Sequence, residues 1–333
     1  MIKVAINGFG RIGRNVFKIA TQNPNIEIVA INDLTDPKTL AHLLKYDSVH
    51  GRYDGTVEST DSSLIVNGKE VNISASRSPK DLPWAKLGID VAIECTGIFT
   101  SATSERGGYK DHLIAGAKKV ILTVPAKDDI TTVVLGVNDE IISPEIDAYS
   151  NASCTTNCLA PVVKIIHDNF GLKRGFMNTV HAFTADQNLL DASHNDLRRA
   201  RAASQSIIPT STGAARAVGL VLPELKGTLD GMAMRVPTPD GSVIDLTCEL
   251  ETSVTKEGLN NQVKLAAQGA LKGIIEYTED PIVSVDIIGN PHSSVFDASL
   301  TMVLGSNLVK IIAWYDNEIG YSNRVVDLIQ KIV

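Results

Sequence analysis

The chain has 333 residues, enough for two domains and a large core. Its formal net charge of −7 argues against non-specific nucleic-acid binding, and no window is long and uncharged enough to span a membrane. With hydrophobic residues at 44% the chain reads as a soluble globular protein, and four cysteines are too few for a disulfide scaffold, which points to the cytoplasm.

The N-terminus enters a strand at once, which leaves no signal peptide. Ile2-Lys3-Val4-Ala5-Ile6-Asn7 is that strand, and Gly8-Phe9-Gly10-Arg11-Ile12-Gly13 follows it. A helix-like stretch from Arg14 to Ala20 comes next, then a second strand, Ile26 to Ile31, ending at Asn32-Asp33. Strand, glycine turn, helix, strand and acid stand in the order a dinucleotide site requires. Gly8 allows the tight turn, Gly10 lets backbone approach a pyrophosphate, and Gly13 lets helix and strand pack closely. Asp33, 20 residues after Gly13, is placed for an adenosine ribose hydroxyl.

Leu64 to Val66 and Val71 to Ser74 predict a hairpin around Asn67-Gly68. Asp90 to Glu94 and Lys119 to Val124 are short buried strands, ending where ligands bind in parallel sheets. The first part of the chain therefore reads as a Rossmann-type doubly wound α/β domain.

Residues 151–158, Asn-Ala-Ser-Cys-Thr-Thr-Asn-Cys, precede an apolar run from Leu159 to Ile166. Small hydroxyl residues before such a run mark a helix start. Cys154 then sits in the first turn, where the helix dipole lowers a thiol pKa and favours a nucleophilic thiolate. Most cysteines are buried small residues instead, so a partner base is needed. Pro161 predicts a shortened or kinked helix, at a cost of about 3 kcal/mol in a helix interior. His181 lies on an apolar strand, Met177 to Phe183, where it can be core or the required base. Residues 185–209 are polar and basic and predict a long ordered loop. Strands at Met232 to Val236, Val243 to Leu250, Val283 to Ile287, Ser299 to Val303 and Leu308 to Tyr315 follow with few helices, an antiparallel α+β signature. A last amphipathic helix carries Ile319, Val325, Val326, Ile329 and Ile332.

Five segments resemble phosphorylating glyceraldehyde-3-phosphate dehydrogenases, in that family's order. They are Asn7 to Arg14, Ala152 to Pro161, Thr210 to Ala215, Gly231 to Pro239 and Trp314 to Ser322. The family's helix carries proline where Pro161 stands. The resemblance implies a cofactor domain over 1–153, completed by the C-terminal helix 318–333, and a catalytic domain with a mainly antiparallel sheet over 154–317. It implies that Cys154 attacks the aldehyde carbon and that His181 keeps the thiol ionised and takes the hydroxyl proton as hydride leaves. The Cys154 N–H and the His181 ring would hold the oxyanion. Inorganic phosphate would then release the thioester as an acyl phosphate.

Two anion pockets are implied: one from Thr184 and Arg235, the other from Ser153, Thr155, Thr212, Gly213 and Arg199. Arg235 between apolar strand residues makes sense if an anion completes it, and a buried salt bridge is the alternative. Cofactor contacts carried over are Arg11 and Ile12 in the glycine turn, Asp33, Arg77, Thr96, Thr123 and Asn317. Asp33-Leu34 matches NAD-specific members, whereas Leu190-Asp191-Ala192-Ser193 matches members that accept NADP. NAD is the expected cofactor, with NADP use open if Asp33 turns aside. No metal is expected, Cys158 reads as helix packing, and a homotetramer follows from the family's use of the 185–209 loop. An erythrose 4-phosphate dehydrogenase, an NADP-preferring enzyme, a hydrolytic aldehyde dehydrogenase and a non-catalytic binder are the competing readings.

Overall fold

The computed structural model describes residues 1–333, which form two units. Unit 1 comprises residues 1–133, 140–152 and 322–333, and unit 2 comprises 134–139 and 153–321. No helix is long and apolar enough to cross a membrane.

Unit 1 is built on a nine-stranded sheet. Its strands are β1 (Ile2–Asn7), β2 (Ile26–Asn32), β3 (Val57–Ser59), β4 (Ser63–Val66), β5 (Lys69–Ser74), β6 (Val91–Glu94), β7 (Lys119–Leu122), β8 (Thr131–Thr132) and β9 (Ala148–Ser150). The order is β8-β9-β7-β6-β1-β2-β5-β4-β3, with every pairing parallel except those of β3 and β4 at one edge. Residues 4–7 of β1, all of β6 and all but the first residue of β7 are buried, as strands covered on both faces must be. The chain leaves β1 to pair β2 on one side and later returns to pair β6 on the other. That reversal opens a crevice at the carboxyl end of β1, where ligands bind in such sheets. Helix α1 (Arg11–Ala20) starts there and buries Val16, Phe17 and Ala20. The hairpin turn takes left-handed backbone at Asn67 and Gly68, the conformation that the Asn-Gly pair favours. Helix α2 (Pro37–Lys45) is capped by Asp36, which accepts from the Thr39 N–H.

Unit 2 holds an eight-stranded mixed sheet. Its strands are β10 (Leu172–Ala182), β11 (Ile208–Ser211), β12 (Leu229–Val236), β13 (Ser242–Leu250), β14 (Ile275–Thr278), β15 (Ser294–Asp297), β16 (Met302–Leu304) and β17 (Leu308–Tyr315). The order is β11-β12-β10-β13-β17-β15-β14, with β16 also on β17. Most pairings are antiparallel, but β10 with β12 and β14 with β15 run parallel. β13 alternates buried and half-buried residues without a break, the signature of a sheet covered on one face. Helix α3 (Cys154–Phe170) supplies the cover, with Leu159, Ala160, Val162, Val163 and Ile166 fully buried.

Three local expectations are corrected. α3 runs unbroken through Pro161, because burial of its apolar face outweighs one missing N–H. Val283 to Ile287 is not a strand: Ser284–Ile287 is a 3₁₀ turn, and Asp286 accepts from the Val283 N–H. Ser299 to Val303 splits into a 3₁₀ turn, Ala298–Leu300, and the short strand β16. Two helices that the sequence reading passed over complete unit 2, α4 (Ala214–Val221) and α5 (Lys256–Gln268). Helix α6 (Ile319–Ile332) ends the chain.

Candidate active site

The crevice of unit 1 is a cavity of about 710 Å³, the size of a small-molecule site. Gly8, Gly10, Asp33, Arg77 and Thr96 line it. Gly8 has φ of +92°, and a Cβ there would meet the Thr96 nitrogen at 2.8 Å. A Cβ on Gly10 would meet nothing within 4 Å, so the backbone is open to a ligand. A Cβ on Gly13 would strike the Gly8 carbonyl oxygen at 2.2 Å, so only glycine lets α1 lie this close to its turn. The first amides of α1 provide donors for a pyrophosphate. Asp33 accepts from the Phe9 N–H at 2.8 Å and the Thr35 N–H at 2.9 Å, which pins its carboxylate at the rim. These features fit a dinucleotide.

Five of the named cofactor residues lie off the lining. The Arg11 side chain is drawn to Asp47 at 2.8 Å. Ile12 and Gly13 follow within α1. Thr123 is buried, and its hydroxyl donates to the Glu94 carbonyl at 2.8 Å. Asn317 belongs to unit 2, where its Oδ1 accepts from the buried Ser242 hydroxyl at 2.6 Å. That bond leaves the Asn317 NH₂ as the free end of the amide.

The second cluster lies within unit 2. Ala152, the residue of unit 1 that immediately precedes it in the chain, takes left-handed backbone with φ of 52°, a strained conformation for a residue with a Cβ. Ser153 then caps α3, its Oγ accepting from the Thr156 N–H at 3.0 Å. Cys154 is the first residue of α3 and is half-buried. Its Sγ lies 3.5 Å from His181 Nε2. His181 Nδ1 lies between the Ala182 carbonyl at 2.7 Å, which only accepts, and Arg235 Nη1 at 3.1 Å, which only donates; the shorter contact assigns the Nδ1 proton to the carbonyl and leaves the Nε2 lone pair facing the thiol. The His181 ring packs edge-on to Tyr315 at 5.8 Å. The Tyr315 hydroxyl sits between those of Thr155 and Thr179, at 2.8 and 2.9 Å. This buried trio holds the floor under the imidazole. It also takes the Thr155 hydroxyl away from any anion and leaves its backbone amide for that purpose.

Burial raises the Cys154 thiol above its ordinary range, against the pull of the Arg235 guanidinium and of hydrogen bonds from Thr155. Burial, and then the same guanidinium, pushes the His181 imidazole down to about 3. Both shifts favour the uncharged pair. Desolvation is the cause in both cases, and it opposes the thiolate–imidazolium pair that the helix start and the facing imidazole favour. Burial raises the other three thiols as well. Burial pushes Cys158 and Cys248 up to about 12, and burial together with Glu94 pushes Cys95 up further.

Arg235 reaches the same place from β12, which pairs β10 in register with Arg235 opposite His181. Its Nη1 donates to the Ala182 carbonyl and to the Thr184 hydroxyl, each at 2.9 Å. Its Nε is buried without an acceptor. A buried guanidinium with an unfilled donor suits an incoming anion. Arg199 donates to Asp186 at 2.7 Å and to Thr210 at 3.0 Å. Asp186 also accepts from Thr184 and so ties the two arginines into one cluster. Thr212 accepts from the Ala214 N–H at 3.2 Å, and Gly213 caps the N-terminus of α4. Asp186, Tyr315 and Ser242 were not among the residues named from sequence. Asp186 lies in the 185–209 loop and is held by Thr184 and by Arg199 of the same loop, whereas Tyr315 lies in the last quoted segment and meets Thr155 on α3 and Thr179 on β10.

A doubly wound dinucleotide fold, in a chain that also presents a half-buried cysteine to a neutral histidine, defines the class of nicotinamide-dependent dehydrogenases that work through a protein thiol. Two family models match the chain: "Glyceraldehyde 3-phosphate dehydrogenase, NAD binding domain" over residues 2–102 and "Glyceraldehyde 3-phosphate dehydrogenase, C-terminal domain" over residues 153–317. Proteins named glyceraldehyde-3-phosphate dehydrogenase from Borreliella burgdorferi and Geobacillus stearothermophilus are 65% and 58% identical to it. The first alignment covers all of both chains, and the second covers 98% of this chain and 97% of the relative. One from Priestia megaterium is 59% identical over 99% of this chain and 98% of its own length. The chain belongs to the glyceraldehyde-3-phosphate dehydrogenase family.

Proposed function

We propose that this protein oxidises D-glyceraldehyde 3-phosphate with NAD and inorganic phosphate to 1,3-bisphosphoglycerate. The observation that carries the reading is the approach of Cys154 Sγ to a His181 Nε2 whose other nitrogen is anchored on the Ala182 carbonyl. His181 takes the thiol proton as sulfur bonds to the aldehyde carbon and returns it to the resulting alkoxide. The Cys154 N–H, one of the amides a helix start leaves unpartnered, stabilises that oxyanion. His181 then removes the hydroxyl proton as hydride departs, leaving a thioester on Cys154. NAD, when bound, supplies the two-electron acceptor. Phosphate attacks the thioester carbon, the acyl phosphate leaves, and the thiolate recovers its proton from His181.

Arg235 and Thr184 receive one phosphate in this reading. The helix N-termini behind Ser153, Thr155 and Gly213, with Thr212 and Arg199, receive the other. NAD is preferred over NADP because Asp33, pinned by Phe9 and Thr35, cannot turn away from a 2′-phosphate. Asn317 offers its NH₂ to the nicotinamide amide. Residues 1–153 with 318–333 act as the cofactor domain and 154–317 as the catalytic domain.

The enzyme works as a cytoplasmic homotetramer. Phe176 on the open sheet face, and Leu189, Leu190 and Leu197 in the 185–209 loop, are 68–82% exposed and support burial between subunits. Turnover of glyceraldehyde 3-phosphate with NAD, measured with and without phosphate, tests the function. Phosphate-dependent NADH formation is expected. Equal rates without phosphate would make the protein a hydrolytic dehydrogenase.

A further inference from the structure

A chain of buried polar side chains crosses the sheet of unit 1 beneath the cavity, and the reaction itself does not use it. Trp84 Nε1 donates to His112 Nδ1 at 3.0 Å, and His112 Nε2 lies 3.0 Å from Glu94 Oε2. Indole only donates, so Nδ1 is the acceptor, and His112 is a neutral ring whose Nε2–H points at the carboxylate. Asn7 Nδ2 donates to the same Oε2 at 2.6 Å. The other oxygen, Oε1, accepts from the Thr96 N–H at 2.8 Å and from the Thr96 hydroxyl. Four donors fill the carboxylate. Trp84, His112 and Glu94 are each 0% exposed, so water cannot substitute for any of them.

From Glu94 the chain runs outward. Asn32 Nδ2 donates to Asn7 Oδ1 at 2.7 Å, and Asn32 Oδ1 accepts from the Ser76 N–H at 2.8 Å. One end of this relay is a carboxylate that only accepts. The other end is a backbone amide that only donates. The two asparagines between them have a single self-consistent orientation, and a flip of either sets donor against donor. Asn7, Asn32, Ser76 and Thr96 all line the cavity, Ser76 just beyond the end of β5 and Thr96 just beyond the end of β6.

We infer that Glu94 is a positioning residue for the cofactor: one buried carboxylate, held by His112, sets both rims of the dinucleotide cavity through Thr96 and through the Asn7–Asn32 relay. The inference rests on the reading that this cavity takes NAD. Glutamine at position 94 would introduce an NH₂ where only acceptors fit. It would face either the Thr96 N–H or the donors of Asn7 and His112, and one rim would have to move.

Calorimetric titration of the full-length protein with NAD tests this. Glu94→Gln should raise Kd about tenfold, while kcat at saturating NAD stays within about twofold. His112 does not line the cavity, so two variants there isolate its action through Glu94. His112→Leu should weaken NAD binding about fivefold. His112→Gln, which keeps a donor for Glu94 and an acceptor for Trp84, should stay within about twofold of wild type. The His112 pair decides the matter even if Glu94→Gln does not fold. Wild-type protein that fails to bind NAD would overturn the dinucleotide reading itself. Wild-type binding with an unchanged Kd in Glu94→Gln, or equal losses in His112→Leu and His112→Gln, would overturn the role of Glu94.

Discussion

Replacing His181 with asparagine removes the base that faces Cys154 and leaves the helix start intact. In the wild type the thiol and imidazole share one proton across 3.5 Å, and the imidazole holds a second proton only below about pH 3. Above that point the fraction of thiolate within the pair does not change with pH until the raised thiol itself titrates. The sign follows from the directions of the two shifts: a depressed imidazole and a raised thiol widen the window in which the pair carries one proton. Alkylation of Cys154 by iodoacetamide should therefore be nearly flat between about pH 5 and about pH 8. In His181→Asn no partner takes the proton, so the rate should climb about tenfold per pH unit across that range. Loss of the base should cost about 10²- to 10⁴-fold in kcat/KM for the aldehyde. The assay is pseudo-first-order alkylation followed by peptide mapping, alongside NADH formation. Identical pH profiles for wild type and variant would refute the reasoning and leave His181 a packing residue.

Three other outcomes follow from the same geometry. Arg235→Ala should raise KM for the phosphorylated aldehyde about 10- to 150-fold, from a lost charge-assisted bond of about 1.5–3 kcal/mol, and should barely change that for glyceraldehyde; equal effects would place Arg235 outside the anion site. Asp33→Gly should lower kcat/KM for NAD about tenfold and raise that for NADP, whereas Ser193→Pro should reduce NADP use alone; a wild-type preference for NADP would contradict the role given to the pinned Asp33. Ala152→Gly should relieve the left-handed backbone ahead of Ser153 and add up to about 1 kcal/mol in urea unfolding, and a loss of stability would show that the Ala152 methyl packs better than it strains.

What was legible in the sequence was what a few neighbouring residues decide. The Gly8 to Gly13 turn, the Asn67-Gly68 hairpin and the Ser153 cap are each fixed by local φ preferences or by one short hydrogen bond. Val283, Val285 and Ile287 alternate like a strand, yet Val283 and Val285 are more than half exposed and the Asp286 carboxylate closes a turn instead. Strand partners lay beyond local reading: nothing near residue 232 says that β12 runs parallel to β10. That pairing places Arg235 opposite His181. The balance that sets the charge of the thiol lay beyond local reading for a related reason. A helix dipole can be read from a sequence window, but the desolvation that opposes it comes from the whole unit. Asp186, Tyr315 and the Glu94 network depend on side chains brought together from 13 to 160 positions apart.

The central claim is that Cys154 carries the oxidised substrate as a thioester. Protein mixed with glyceraldehyde 3-phosphate and NAD, without phosphate, should show one phosphoglyceroyl adduct per chain by intact-mass spectrometry. Peptide mapping should place it on Cys154, and added phosphate should remove it together with release of acyl phosphate. No adduct, or one on Cys95, Cys158 or Cys248, would contradict the account.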